Sequence, residues 1–140
     1  MMRIRLATDA DVVAILRLWR GGTSVVSHTD DPQGLRALLA RDPGALLLAE
    51  DEGRLVGTLI AGWDGWRAWL YRLVVTPGDR RRGAATALVR HAEERLRRLG
   101  ARRVAAGVIL DHEHARAFWA EMGYAHDGET GRFIKMLGGP

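Results

Sequence analysis

Leu73-Val74-Val75-Thr76-Pro77-Gly78-Asp79-Arg80-Arg81-Arg82-Gly83-Ala84-Ala85-Thr86-Ala87-Leu88 joins three kinds of sequence in sixteen residues. An apolar run suited to a buried strand stops at a proline turn. A basic loop containing glycine follows, and it opens directly into a helical pattern. A helix entered from such a loop presents unpaired backbone N–H groups and the positive end of its dipole to whatever lies beside it. Phosphate and pyrophosphate suit that environment, and Arg80, Arg81 and Arg82 add charge-assisted donors for the same anion.

Outward from this stretch the chain alternates strands and helices. Residues 84–99 carry Leu88, Ala92, Leu96 and Leu99 on one helical stripe, with Arg90, Glu93, Glu94, Arg97 and Arg98 facing outward, and Gly100 caps the helix. Upstream, residues 45–49 and 55–61 read as strands joined at Asp51-Glu52-Gly53-Arg54. Asp64-Gly65 turns the second of them into a third strand over 66–75, making an antiparallel meander. Before these, Arg3 to Ala7 reads as a first strand. Thr8-x-x-Asp11 resembles a capping box ahead of Val12, Ile15, Leu16 and Trp19 at helical spacing, and Gly21-Gly22 ends that helix. Residues 23–32 are polar and loop-like, and Leu35, Leu38 and Leu39 predict a short second helix ending near Asp42-Pro43. Downstream, the pattern predicts a strand over 104–110, a helix over 112–122 stopped by Gly123, and a last strand over 133–137.

The gross numbers fit one soluble domain spanning residues 1–140. Hydrophobic residues make up 47% and charged residues 27%, both ordinary for a globular chain. The net charge of +4 comes almost wholly from arginine, since Lys135 is the sole lysine. Acidic residues are interspersed and no basic tail exists, which argues against nucleic acid as a partner. With no cysteine, disulfides, thiolate metal sites and a cysteinyl acyl intermediate are excluded. No signal-peptide pattern and no apolar run of membrane-spanning length is present, so a cytoplasmic protein with no membrane partner is expected.

The order β-α-α-β-β-β-α-β-α-β, with the anion loop between the fourth strand and third helix, resembles the GNAT superfamily of acyl-CoA-dependent N-acetyltransferases. Arg80-x-x-Gly83-x-Ala85 matches the Gln/Arg-x-x-Gly-x-Gly/Ala pyrophosphate loop of that family. Ala115-x-x-Phe118-Trp119-x-x-x-Gly123-Tyr124 is similar to its later Ala-x-x-aromatic-aromatic element, and Gly62-Trp63-Asp64-Gly65 to bacterial members whose acceptors are mostly unassigned. The resemblance covers nearly the whole chain. It implies an α/β (α+β) fold: a mostly antiparallel twisted sheet whose fourth and fifth strands splay apart, flanked by about four helices.

It also implies a site for acetyl-CoA as co-substrate. Backbone amides from Arg81 through Gly83, Ala84, Ala85 and Thr86 would hold the pyrophosphate. Leu73 and Val75 would bond the pantetheine arm. The Val74 amide would polarise the thioester carbonyl and stabilise the tetrahedral oxyanion, a contribution of about 3 kcal/mol in such sites. His112 and Ala115 would contact pantetheine, and Phe118 and Trp119 would line its end of the cleft. The reaction implied is direct attack of an amine on the thioester, with one proton leaving the amine and one reaching the departing thiolate.

The usual acid–base residues of that family are absent from their usual places. Arg67 to Val75 contains no carboxylate, and Trp119 stands where many relatives place a tyrosine. An indole donates a hydrogen bond but is no practical acid. Tyr71 on the fourth strand, His112 at a helix start, and His28 beside Asp30 and Asp31 are the substitutes, each with a purely structural reading beside it. A weakly basic acceptor needs no dedicated base, because an α-amine with a pKa near ~8 is appreciably neutral at physiological pH. His112-Glu113-His114 is not read as a metal site, since positions i and i+2 lie on different helix faces. Trp63, Trp66 and Trp69 gather around the Asp64-Gly65 turn as an acceptor wall or a subunit interface, in a monomer or a homodimer. Two other functions compete with the acetyltransferase: a catalytically silent acyl-CoA-binding regulatory module, and an RNA-binding domain, ranked last for want of an aromatic-basic motif.

Overall fold

In the computed structural model, residues 1–22, 27–108 and 112–138 are described. The chain divides into two compact units, Met1–Gly107 and Val108–Pro140. The first holds β1 (Met2–Leu6), α1 (Val12–Gly22), α2 (Pro32–Arg41), β2 (Leu46–Asp51), β3 (Arg54–Trp63), β4 (Ala68–Val75), α3 (Ala84–Leu99) and β5 (Val104–Ala106). The second holds α4 (Glu113–Glu121). No described helix is long and apolar enough to cross a membrane.

The sheet runs in chain order, β1-β2-β3-β4-β5, antiparallel throughout except for the parallel β4–β5 pair. Glu52 and Gly53 turn β2 into β3 with φ of 52° and 76°. Two consecutive left-handed residues match the right-handed strand twist, so the two-residue loop closes a tight hairpin. At the next corner Asp64 accepts hydrogen bonds from the Trp66 and Arg67 amides, at 2.8 and 2.7 Å.

Helices cover both faces. A Cβ added to Gly57 of β3 would lie 3.2 Å from Leu88 of α3. Its neighbour Thr58 accepts a 2.8 Å hydrogen bond from the Trp19 indole of α1. Adjacent strand residues point to opposite faces, so α1 and α3 pack on opposite sides. That sandwiching explains why Leu46 to Ala49 and Val56 to Ala61 are buried without alternation. Ile15, Leu48, Leu59, Leu70, Leu88 and Leu96 are among the largest side chains fully withdrawn from solvent.

The Thr8–Asp11 motif forms as expected: the Asp11 carboxylate accepts the Thr8 amide at 2.8 Å. Arg5 also grips Asp11 through two 2.8 Å bonds. That guanidinium, helped by the Thr8 amide and hydroxyl, holds the Asp11 carboxyl down to about 2. A carboxyl depressed by folding stabilises the fold above its unfolded pKa, and the gain disappears as pH falls through the folded value. Asp11→Asn is therefore expected to cost about 2 kcal/mol at neutral pH. It should also flatten the loss of stability between about pH 4 and pH 2. Urea titrations across that range check both; parallel pH profiles for the two proteins would contradict the assignment.

Three sequence expectations are corrected. The strand expected over 66–75 begins at Ala68. The strand expected over 104–110 ends at Ala106, with 109–110 outside the described residues, as are 23–26 of the expected loop at 23–32. No strand forms over 133–137. Among the described residues of its own unit α4 is the only regular element, so a lone extended segment has no ladder to join there. With apolar side chains at 133, 134, 136 and 137 the segment has no polar face either. Phe133 is 100% and Leu137 89% exposed.

Candidate active site

The pairing of β4 with β5 covers Ala68 to Leu70 against Val104 to Ala106, followed by one bond from the Gly107 amide to the Leu70 carbonyl. Beyond Leu70 the outer edge of β4, over 71–75, has no strand neighbour among the described residues. This is the splaying that the resemblance implies. Leu73, Val74 and Val75 lie on that edge, with Val74 buried and the other two half-buried.

The strand leads through a 3-10 turn, Pro77–Asp79, into the basic loop. Arg81 adopts φ 67° and Gly83, the N-cap of α3, φ 87°. No side chain caps α3. The first amides of that helix (Ala84, Ala85, Thr86) therefore lack the partner a Ser or Asp cap supplies. A Cβ built on Gly83 meets no atom within 4 Å. Positive φ explains the glycine, and the open space in front of it fits an anion brought against the backbone.

The three arginines divide. Arg82 donates to Asp79 and Asp51, both at 2.7 Å, and so folds back onto the protein. Arg54 also grips Asp79, at 2.9 and 3.1 Å, and the Thr76 hydroxyl donates to the same carboxylate. Arg54 foremost, then Thr76, hold the buried Asp79 carboxyl well below the usual carboxylate range. Asp79 is thus the anchor of the loop, and Arg82 acts as its brace. Arg80 and Arg81 are exposed and have no acidic partner among the described residues. Of the three loop arginines, these two are the ones left for an external anion among the described residues.

Sequence reasoning did not single out Arg72. Between the pairs Thr58↔Val74 and Ile60↔Tyr71, β4 contains one residue more than β3. Arg72 occupies this bulge at φ 58°. Its carbonyl accepts the Thr58 hydroxyl at 2.9 Å, and its guanidinium holds Asp30 through bonds of 2.8 to 3.2 Å. Its charge also sits 5.5 Å from the centre of the Trp19 ring. The only advance signal was a charged residue on an otherwise uncharged strand.

The proposed proton carriers separate in the same way. Tyr71, beside the bulge, is 41% exposed, and its hydroxyl finds no hydrogen-bond partner among the described residues. Burial of its ring raises the phenol above its ordinary value. Of the loop trio, Asp31 caps α2 by accepting the Gly34 amide at 2.7 Å, Asp30 is taken by Arg72, and His28 is exposed. His112, Ala115, Phe118 and Trp119 belong to the second unit. His112 is the exposed N-cap of α4, and Ala115 is half-buried on its first turns. Trp119 is buried, with Phe118 and Tyr124 packed edge-on at 5.4 and 4.9 Å. Among the described residues no group of His, Cys, Asp or Glu is gathered to hold a metal ion.

At the other end of β4, Trp63, Trp66, Arg67, Arg102 and Arg103 line an open groove of about 420 Å³. Arg67 stacks 4.0 Å over Trp66, which is 72% exposed. The tryptophans therefore do not adjoin the basic loop.

Residues 12–124 match the family model described as the acetyltransferase (GNAT) family. The chain belongs to that family. The GNAT assignment is supported by an acetyltransferase of Pectobacterium atrosepticum, 30% identical over 123 residues that cover 88% of this chain and 87% of that one. Among solved structures, the GNAT chain is similar to the PaiA N-acetyltransferase of Thermoplasma acidophilum in complex with coenzyme A. The TM-score is 0.78 and the identity 16%, over 94% of both chains. It is also similar to an aminoglycoside 6'-N-acetyltransferase of Acinetobacter haemolyticus, with TM-score 0.77 and 24% identity over 97% of this chain and 99% of that one. The GNAT protein is thus an acetyltransferase, with a five-strand mixed sheet and four α-helices among the described residues.

Proposed function

We propose that this acetyltransferase moves acetyl from acetyl-CoA directly to an amine, within a ternary complex and without an acyl-enzyme. The observation that carries the reading is the open β4 edge over 71–75 running into the uncapped start of α3. An extended pantetheine arm suits the first as an added strand, and a pyrophosphate suits the second. The T. acidophilum N-acetyltransferase, seen with coenzyme A, supports the same ligand here. Acetyl-CoA brings the activated thioester; the protein binds it along the β4 edge and excludes water. The Val74 backbone expected to meet its carbonyl is turned inward to β3, paired with Thr58, so the outward-facing backbone beside it takes that place. Arg80 and Arg81 meet the phosphates.

The acceptor is an amine of modest basicity: a small molecule, a peptide or a protein N-terminus. Asp30, the acid tied to β4, is engaged by Arg72 and by the Ser27 amide at 2.9 Å, leaving no strand carboxylate to take the amine's proton. An amine already partly neutral needs only ordered water as its acceptor. Tyr71, kept protonated at neutral pH, is placed to donate rather than to accept.

Calorimetric titration with acetyl-CoA, followed by thiol release against matched amines with pKa from about 8 to about 10.4, tests the reading. Binding at micromolar concentration and faster turnover of the less basic amines are expected. Absence of binding would overturn the acyl-CoA assignment, and preference for the most basic amine would overturn the acceptor class.

A further inference from the structure

We propose that the Arg72–Asp30 ion pair is a latch. It holds the β4 bulge in the conformation that aims the backbone of Leu73 to Val75, and it ties that backbone to the α1–α2 connection. The inference rests on the reading of β4 as the pantetheine and thioester edge.

A left-handed backbone is disfavoured for a residue with a Cβ, and glycine is the usual occupant of such a bulge. Here the position carries arginine, at φ 58°, and the surroundings determine its conformation from three sides. Thr58, fully buried, donates its hydroxyl to the Arg72 carbonyl, while its oxygen accepts the buried Trp19 indole. That chain fixes the peptide plane leaving Arg72. The guanidinium is fixed by Asp30, whose side chain is only 10% exposed, with both carboxylate oxygens engaged. Trp19 lies beneath the same guanidinium. Asp30 is itself held by the Ser27 amide, so the described end of the α1–α2 connection and the bulge move together.

A glycine would accept the dihedral angle more readily than arginine does, so the dihedral alone does not account for the side chain. What arginine adds is a charged link from the strand to the connecting loop. Arg72 and Asp30 are positioning residues: they touch no reacting atom and act through the amides that follow the bulge. An amide aimed at the acetyl carbonyl makes the protein prefer acetyl-CoA to CoA. Loosening the latch removes that preference without disturbing the phosphate loop, which is anchored separately through Asp79.

The experiment compares Kd for acetyl-CoA and for CoA in the wild type, Arg72→Gly, Asp30→Asn, and the charge-swapped Arg72→Asp with Asp30→Arg. The wild type is expected to prefer acetyl-CoA by roughly three- to tenfold, the worth of one net hydrogen bond. Both single variants should bind CoA within about twofold of wild type yet lose that preference, and the swap should regain part of it. If Arg72→Gly fails to fold, Asp30→Asn carries the test, since it leaves the strand unaltered. An unchanged preference in the single variants overturns the latch while leaving the proposed function standing. So does a wild type that binds both ligands equally. A wild type that binds neither ligand overturns the proposed function and the latch with it.

Discussion

Gly83→Trp is expected to weaken acetyl-CoA binding by more than about 100-fold, equivalent to about 3 kcal/mol, as read by calorimetry beside the wild type. The substitution acts on the ligand's space rather than on the fold. A Cβ at this position meets nothing within 4 Å, so the side chain starts in open space beside the helix N-terminus, and the bulk of an indole competes with the ligand there. The amides of Ala84, Ala85 and Thr86 would then face an aromatic ring instead of a phosphate. Some strain follows in any case, because φ is 87° and a non-glycine residue there costs about 1–2 kcal/mol. Gly83→Ala isolates that strain: it shares the dihedral penalty but lacks the bulk, and should lose much less affinity than the tryptophan variant. Equal losses in the two would mean that the backbone conformation, not the open space, is what the glycine provides. Unchanged binding in Gly83→Trp would remove the cradle from the reading altogether.

The parts of this molecule that were legible in its sequence are those governed by local rules. The α3 stripe, its Gly100 stop at φ 104° and the Glu52-Gly53 hairpin depend on residues a few positions apart, and each forms where the pattern placed it. The basic loop was legible as a loop. Its internal division was not, because Arg80, Arg81 and Arg82 are chemically identical, and only the fold brings Asp51, 31 positions away from Arg82, within reach. The anchor role of Asp79 has the same origin: Arg54, 25 positions away, comes from the start of the neighbouring strand β3. Arg72 was hidden for a related reason. A bulge is a mismatch in count between two strands, and neither strand shows it alone. The expected strand over 133–137 illustrates the converse failure. Apolar composition marks a segment that can form a strand, but a strand exists only with a hydrogen-bonded neighbour.

These distinctions separate what holds the candidate site from what holds the domain. The basic loop is secured by ion pairs: Asp79 with Arg54 and Arg82, and Arg82 with Asp51. The bulge is secured by Arg72, Asp30, Thr58 and Trp19. Neither set includes the apolar residues that attach α3 to the sheet. Perturbing the α3 core and perturbing the loop should therefore have different signatures.

Leu88→Ala provides the contrast. Leu88 is fully buried on the second turn of α3 and faces the bare backbone of Gly57, where a Cβ would come within 3.2 Å of it. The glycine and the leucine are complementary: the absent side chain on β3 is what lets the helix approach so closely. Truncation leaves a cavity that the sheet cannot fill, since the Gly57 side of the contact has no side chain to move. Such sites lie toward the costly end of leucine truncations, so a loss of about 3–4 kcal/mol is expected. For a chain of this size that lowers Tm by roughly 10 °C, checked by calorimetric melting and by urea titration. Acetyl-CoA affinity measured well below the new Tm should fall by less than about threefold, because distant, independently anchored parts contribute nearly additively. A large affinity loss at small stability cost would mean that α3 packing, rather than the Asp79 ion pairs, sets the loop.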